Sequence, residues 1–183
     1  EASRETPEGD WRRMYDLLAG LSVIETSSFV ASPTAGLYCA QMGAEVIRVD
    51  GDYDTAVAEC RKQAAANGWT IISDTSWEGY DTIPRSVMRG YTVLVEEIVR
   101  QWPDAPTHVF VQAGVGGLAA AVIGYLWAVL PQRPVSIVVE PASADCWFQS
   151  NLAGKPVLAS GNADTVMGGL ACREISPVTW PVI

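Results

Sequence analysis

The stretch that decides the fold is Thr107-His108-Val109-Phe110-Val111-Gln112-Ala113-Gly114-Val115-Gly116-Gly117-Leu118. It passes from β-branched and aromatic residues through three glycines into an alanine-rich run typical of a helix. Glycines permit a tight turn with exposed amides, and a helix N-terminus carries partial positive charge, so the loop could bind a phosphate. The same pattern can also be only a tight turn between a strand and a helix. Both interpretations stay open on these residues alone.

On either side of this stretch, β-branched runs alternate with helical stretches, which predicts an α/β fold: an open three-layer α/β/α arrangement with a mostly parallel sheet. The predicted strands are Ser22–Glu25, Val46–Val49, Thr70–Ile72, Thr107–Val111 and Val135–Glu140. The predicted helices are Ser32–Met42, Asp54–Asn67, Pro84–Gln101 with an interruption at Gly90, Leu118–Leu130 and Asp164–Cys172, and Asn151–Ala163 is predicted to be a loop.

Composition limits the possible functions. With 183 residues, 49% of them hydrophobic, the chain is long enough for one α/β domain of ordinary size. A formal net charge of -9 argues against partners such as nucleic acid or an anionic membrane. The apolar run Val115–Leu130 is shorter than the roughly 20 residues that span a bilayer. The polar first thirteen residues do not resemble a secretory signal, so we expect a cytoplasmic protein.

Four cysteines show no metal-type spacing and predict buried free thiols without a metal site. Cys146 and Cys172 could meet near the glycine loop, although the cytosolic bias argues against a disulfide. Because the chain starts at Glu1 and stops at Ile183 directly after an apolar stretch, we expect a fragment at both ends.

A series of ordered motifs points to a known family. They include Asp74-Thr75-Ser76-Trp77-Glu78-Gly79-Tyr80, Gln112-Ala113-Gly114-Val115-Gly116, Val139-Glu140-Pro141, Ala144-Asp145-Cys146 and Gly169-Leu170-Ala171-Cys172. Over about residues 43–183 the sequence resembles the 2,3-diaminopropionate ammonia-lyases, which are fold type II pyridoxal-phosphate enzymes related to tryptophan synthase β. The resemblance implies pyridoxal 5'-phosphate as cofactor, a small amino-acid substrate, release of pyruvate and ammonia, and a homodimer.

The N-terminal part resembles a different family. Tyr15-Asp16-Leu17-Leu18, Val23-Ile24-Glu25 and Ser28-Phe29-Val30-Ala31 are similar to the start of a family III CoA-transferase. This predicts a chimera with a polar tail at residues 1–13, a CoA-transferase-like β-α-β segment at 14–50 and a lyase-like segment at 51–183. Two alternatives remain open: a CoA-binding or CoA-transferase piece, and a catalytically silent α/β domain.

The lyase resemblance assigns roles to residues. Gly114, Val115, Gly116 and Gly117 match the loop that binds the cofactor phosphate. Asp74 matches a carboxylate that transfers a proton at the substrate α-carbon. Trp77, Tyr80 and Asp145 are implied neighbours of the substrate pocket.

Each of these residues also has an ordinary structural interpretation. Asp74 could be a turn or helix-capping residue, Trp77 and Tyr80 could fill a core or an interface, and Asp145 could start a helix. The single histidine, His108, is expected to be structural.

The two lysines are expected to be surface charges. Lys62 falls on a predicted helix and Lys155 in a predicted loop, and neither matches the family's Schiff-base lysine. We therefore expect that the isolated chain does not turn over substrate by itself.

Overall fold

The computed structural model describes residues 15–25, 31–49, 53–102 and 104–183. The predicted tail at residues 1–13 and Ser28–Val30 of the CoA-transferase-like motif lie outside these ranges. The chain divides into two compact units, Glu1–Ile71 and Ile72–Ile183, here called the N-terminal and C-terminal units.

The N-terminal unit contains a β-α-β element followed by a helix. Its elements are β1 (Ser22–Glu25), α1 (Ala31–Gln41), β2 (Glu45–Arg48) and α2 (Tyr53–Asn67). Strands β1 and β2 pair in parallel, with Ser22 opposite Glu45. Helix α1 ends at a turn in which Gly43 has φ +99°, and a Cβ there would lie 2.9 Å from the Tyr15 carbonyl oxygen. A left-handed turn with no room for a side chain requires glycine.

The C-terminal unit contains a second β-α-β element. Its elements are α3 (Thr82–Gln101), β3 (His108–Gln112), α4 (Gly117–Val129), β4 (Val135–Val139), α5 (Cys146–Ala153) and a 3₁₀ turn at Gly168–Leu170. Strands β3 and β4 pair in parallel, with His108 opposite Val135 and Gln112 opposite Val139. Their carboxyl ends therefore lie side by side. The glycine loop follows one strand end and Glu140 follows the other.

The core of this unit forms around α4, which is apolar on most of its surface because α3 and the β3–β4 pair both pack against it. Ala119 is fully buried, and Ile123 and Leu126 are nearly so. Val95 of α3 belongs to the same cluster, as does Trp147 of α5. This packing fixes the start of α4, and with it the glycine loop, against three neighbouring elements. No helix in the described part of the chain is long and apolar enough to cross a membrane.

The parallel α/β architecture is confirmed, and four local predictions are wrong wholly or in part. Thr70–Ile72 is not a strand, since no described strand pairs with it and Ile72 is largely exposed. Helix α3 runs through Gly90 without interruption. The predicted helix Asp164–Cys172 is reduced to the turn at Gly168–Leu170, because adjacent glycines disfavour a longer helix. The predicted loop Asn151–Ala163 loses its first three residues to α5.

Candidate functional site

The carbonyl groups of the glycine loop are held by the rest of the C-terminal unit. The Trp147 indole Nε1–H donates to the Gly114 oxygen at 2.9 Å. The Ser176 backbone N–H donates to the Val115 oxygen at 2.8 Å, and the Ala120 N–H donates to the Gly116 oxygen at 2.8 Å. Since the N–H and C=O of one peptide point in opposite directions, fixing these oxygens also fixes where the following amides point.

Two of those amides are left with no protein acceptor. No hydrogen bond formed among the described residues uses the N–H of Gly116 or Gly117, although both residues are buried. The first N–H groups of a helix have no intrahelical acceptor, and at a buried helix start they are usually bonded to a side chain, a water molecule or a ligand. The Gly116 and Gly117 amides lie at the N-terminus of α4, a 13-residue helix, where the helix dipole also favours an anion. The loop is therefore suited to bind an oxyanion such as a phosphate.

The glycines themselves are required by packing within the protein. Gly116 has φ +101°, and a Cβ on it would collide with the Trp147 ring and lie 2.9 Å from Thr179 Oγ1. A Cβ on Gly114 would lie 2.9 Å from Cys172 Sγ. The tight-turn interpretation thus accounts for the glycines, whereas the anion-binding interpretation depends on the amides.

Helix α5 is anchored between the end of β4 and the loop. The Glu140 carboxylate accepts the backbone N–H of Trp147 at 3.0 Å and of Phe148 at 2.7 Å, so it caps α5 from outside the helix. Burial, together with the nearby Asp145 charge, raises the pKa of Glu140 above its ordinary value despite these bonds. Burial also raises the pKa of Cys146 to about 12, with a further contribution from Glu140, so this thiol stays protonated at neutral pH.

Asp74 lies near the loop at an exposed position. Its own carboxylate accepts the Thr75 Oγ1–H at 3.3 Å. Burial raises the pKa of Tyr91 and of Cys172, and in both cases the Asp74 charge adds to the shift. Both residues flank the loop: Cys172 lies beside Gly114, and the Tyr91 ring is 3.9 Å from a Cβ placed on Gly117. The structure therefore groups Asp74, Tyr91 and Cys172 around the candidate phosphate site.

Trp77 and Tyr80 form a tight turn of their own. Their rings stack with centroids 3.9 Å apart, and each backbone N–H bonds to the other residue's carbonyl oxygen. The Tyr80 hydroxyl accepts the Ser73 N–H at 2.9 Å. This stack supports the short segment that carries Asp74.

The remaining predicted residues have structural surroundings. Asp145 is the N-cap residue of α5, and its Oδ1 accepts the Gln149 Nε2–H at 2.6 Å, as expected for a helix start. His108 is exposed on β3, with one ring nitrogen 3.0 Å from Thr107 Oγ1. Lys62 pairs with Glu59 on α2, and Lys155 is exposed. Cys146 and Cys172 are free thiols. Among the described residues, no three His, Cys, Asp or Glu side chains converge as a metal site would require.

Sequence reasoning missed the residues that hold the loop. Four residues contact the glycine loop directly or through α5, namely Trp147, Glu140, Ser176 and Thr179. None of them lies within eight residues of the loop in sequence. Glu140 falls in a quoted motif, so its family match was a usable signal. No sequence pattern signals that Trp147 would pack on a glycine more than thirty positions earlier.

Comparison with known proteins settles the family. A sequence profile described as "Pyridoxal-phosphate dependent enzyme" matches residues 18–183. The chain belongs to this family. Diaminopropionate ammonia-lyase of Escherichia coli K12 is 44% identical over 146 residues, covering 78% of this chain and 37% of the relative. The Salmonella typhimurium protein of the same name is 40% identical over 148 residues, covering 77% and 37%.

Solved structures of the pyridoxal-phosphate dependent enzyme family agree. The E. coli diaminopropionate ammonia lyase in complex with D-serine has a TM-score of 0.70 and 39% identity, covering 88% of this chain and 40% of that one. Threonine deaminase isoform 2 of Solanum lycopersicum, at 21% identity and TM-score 0.68, covers 90% of this chain and 52% of that one and supports the fold alone.

These matches bear on the predicted CoA-transferase-like segment and on how much of its relatives the chain covers. The family profile begins at residue 18 and runs through the predicted boundary between residues 50 and 51. The comparisons thus give no support to a CoA-transferase segment or to a chimera. The chain spans a little over a third of the length of the diaminopropionate ammonia-lyases that it matches.

Proposed function

We propose that this chain carries the cofactor-phosphate site and one proton-transfer group of a pyridoxal-phosphate-dependent lyase that eliminates ammonia from 2,3-diaminopropionate. The observation that carries the proposal is a pair of amides at the start of α4 that have no acceptor among the described residues, next to carbonyls that the protein already holds. The substrate assignment rests on relatives at 40 to 44% identity whose names specify that activity.

The residues present fit the cofactor's phosphate. Gly116 and Gly117 would donate their amides to its oxygens, and the N-terminal dipole of α4 would stabilise its negative charge. Gly114 and Val115 would shape the loop, since their carbonyl oxygens are bound by Trp147 and Ser176. Pyridoxal phosphate, when bound, supplies an electron-withdrawing ring that favours loss of the α-proton from an amino acid.

Asp74 is proposed to move the proton at the substrate α-carbon. The Asp74 carboxylate is exposed and lies beside the candidate phosphate site, so it can reach a ligand bound there. Loss of this proton allows the β-amino group to leave, and later hydrolysis gives pyruvate and a second ammonia. The Trp77–Tyr80 stack is proposed to support the Asp74 segment and to border the substrate, and Asp145 is proposed to act only through α5.

Ligand binding tests the phosphate part of the proposal. Equilibrium dialysis should give a dissociation constant for pyridoxal phosphate at least about tenfold lower than for pyridoxal, because only the former carries the charge that the amides bind. Gly116→Ala should abolish the difference by displacing Trp147, whereas Gly90→Ala, at an exposed helix position with open space for the methyl group, should preserve it. Equal affinity for the two ligands in the unaltered chain would refute the phosphate site.

Exchange of the α-proton tests the role of Asp74. In D₂O with pyridoxal phosphate, the chain should accelerate loss of the α-proton NMR signal of 2,3-diaminopropionate above the rate with the cofactor alone. Asp74→Asn should lower the protein-dependent rate by about 10²-fold or more, the usual contribution of a positioned acid–base group. Asp104→Asn removes an exposed carboxylate between α3 and β3 and serves as the control. An unchanged rate in Asp74→Asn would exclude this carboxylate.

A further inference from the structure

A buried pair of serines joins the segment that carries Asp74 to the segment that holds the glycine loop. Ser76 is 4% exposed and Ser176 is fully buried. Ser176 Oγ accepts the Ser76 backbone N–H at 2.8 Å, and the two hydroxyl oxygens are also 2.8 Å apart. Ser76 Oγ in turn accepts the Val178 N–H at 2.9 Å. The pair therefore ties together segments that are 100 residues apart in sequence.

The same serine reaches the loop through its backbone. The Ser176 N–H donates to the Val115 oxygen at 2.8 Å. Thr179, also fully buried, donates its hydroxyl to the Ser176 oxygen at 2.6 Å, and that hydroxyl lies 3.2 Å from the Val115 oxygen. Ser176 thus contacts the candidate phosphate loop on one side and, through Ser76, the Asp74 segment on the other.

Burying a pair of serine hydroxyls costs free energy unless each polar atom has a hydrogen-bond partner. Filling of the core alone therefore does not explain the two serines. Alanine would fill much of this space without burying a hydroxyl. Every polar atom described above has a partner, and Ser136 Oγ is the only buried side-chain polar atom in the described residues that has none. A satisfied buried polar network fixes one arrangement of the segments it joins, because alternative arrangements would leave a donor or acceptor unpaired.

We infer that Ser176 is a positioning residue that sets the placement of Asp74 relative to the phosphate loop. The path is short: Asp74 is two residues from Ser76, whose N–H bonds to Ser176 Oγ, and the Ser176 N–H bonds to the loop at Val115. The inference rests on the proposed function, since it assigns an arrangement to that site. If the inference is correct, the effect of the Asp74 charge on the dissociation constant of a phosphate ligand depends on Ser176.

A double-mutant cycle measures this dependence with pyridoxal phosphate as the probe. Asp74→Asn removes a negative charge near the loop and should lower the dissociation constant by about threefold. In the Ser176→Ala background the same change should have almost no effect, a non-additivity of about threefold that is typical of coupled sites. If Ser176 contributed only to overall stability, Asp74→Asn would change the dissociation constant for pyridoxal phosphate by the same factor in both backgrounds; this ratio is called the Asp74→Asn factor below.

The control and a second variant complete the test. Ser150→Ala removes another fully buried serine of the same unit, whose hydroxyl bonds to the Val157 backbone, and it should leave the Asp74→Asn factor unchanged. If Ser176→Ala does not fold, Ser76→Ala keeps the N–H bond to Ser176 and should reduce the factor in part.

Three results would overturn the inference. They are additive effects in the cycle, an unchanged factor in Ser76→Ala, and no effect of Asp74→Asn in the unaltered chain. By contrast, failure of the unaltered chain to bind pyridoxal phosphate at all would overturn the proposed function itself, and the inference with it.

Discussion

Replacing Trp147 by phenylalanine should weaken both the fold and ligand binding at the candidate site. Phenylalanine keeps an aromatic ring near Gly116 but removes the N–H that bonds to the Gly114 oxygen at 2.9 Å. Within the described part of the chain, the only other side-chain donor near this oxygen is Cys146 Sγ at 3.9 Å, a weak one. Loss of the hydrogen bond costs about 1 kcal/mol, and the smaller ring costs about 1 kcal/mol more.

The expected results are therefore a decrease of about 2 kcal/mol in the free energy of unfolding and a roughly fivefold weaker affinity for pyridoxal phosphate. Urea denaturation and equilibrium dialysis measure the two quantities. The affinity falls because the Gly114–Val115 peptide is no longer held in the orientation that places the neighbouring amides toward the ligand.

A matched control separates these effects. Trp127→Phe also replaces a tryptophan of the same core, but its indole bond to the Pro134 oxygen is long, at 3.4 Å, and lies near the end of α4 opposite to the loop. It should lower the free energy of unfolding by about 1 kcal/mol and leave the affinity unchanged. Equal affinity losses in the two variants, or none in Trp147→Phe, would refute the reasoning.

Three further predictions concern Glu140, Cys146 and Gly90. The pKa of Glu140 is raised in the folded chain, so the Glu140 side chain contributes stability below its ordinary pKa of 4.5, and this contribution is lost as pH rises through the folded pKa. Relative to Glu140→Gln, the free energy of unfolding of the unaltered chain should therefore decline above about pH 4.5. Parallel curves of unfolding free energy against pH for the two proteins would contradict this prediction. Cys146 should resist iodoacetamide at pH 8 in the folded chain and react in urea, as peptide mass spectrometry would detect; rapid labelling of the folded chain would contradict the raised pKa of about 12. Gly90→Ala should raise the free energy of unfolding by about 0.5 to 1 kcal/mol, because α3 is continuous and the position is open; a lower melting temperature would mean that the helix is broken there.

The sequence was sufficient for the parts of the fold that depend on local pattern. Strands β3 and β4 and helix α4 lie within one residue of their predicted ends, because β-branched runs and an alanine-rich run set their periodicity. The glycine loop between them was also located correctly. Local pattern was insufficient at Asp164–Cys172, where the predicted helix contains adjacent glycines and is mostly irregular.

The support of the site could not be predicted in the same way. Trp147 reaches Gly114 across 33 positions, and Ser176 reaches Ser76 across 100. Such contacts depend on how α5 and the C-terminal segment fold back, which no local periodicity encodes. Asp74 received its role through its family motif, whereas Tyr91, whose ring lies 3.9 Å from a Cβ placed on Gly117, was given no role from the sequence.

Amide chemical shifts test the central claim most directly, since they report on the N–H groups that are proposed to bind phosphate. In ¹H–¹⁵N spectra of the chain titrated with pyridoxal phosphate, the amide protons of Gly116 and Gly117 should move downfield in a saturable manner, as donors to an anion do. Pyridoxal at the same concentrations should leave them in place. Shifts confined to other residues, or equal shifts with both ligands, would contradict a phosphate site at the start of α4.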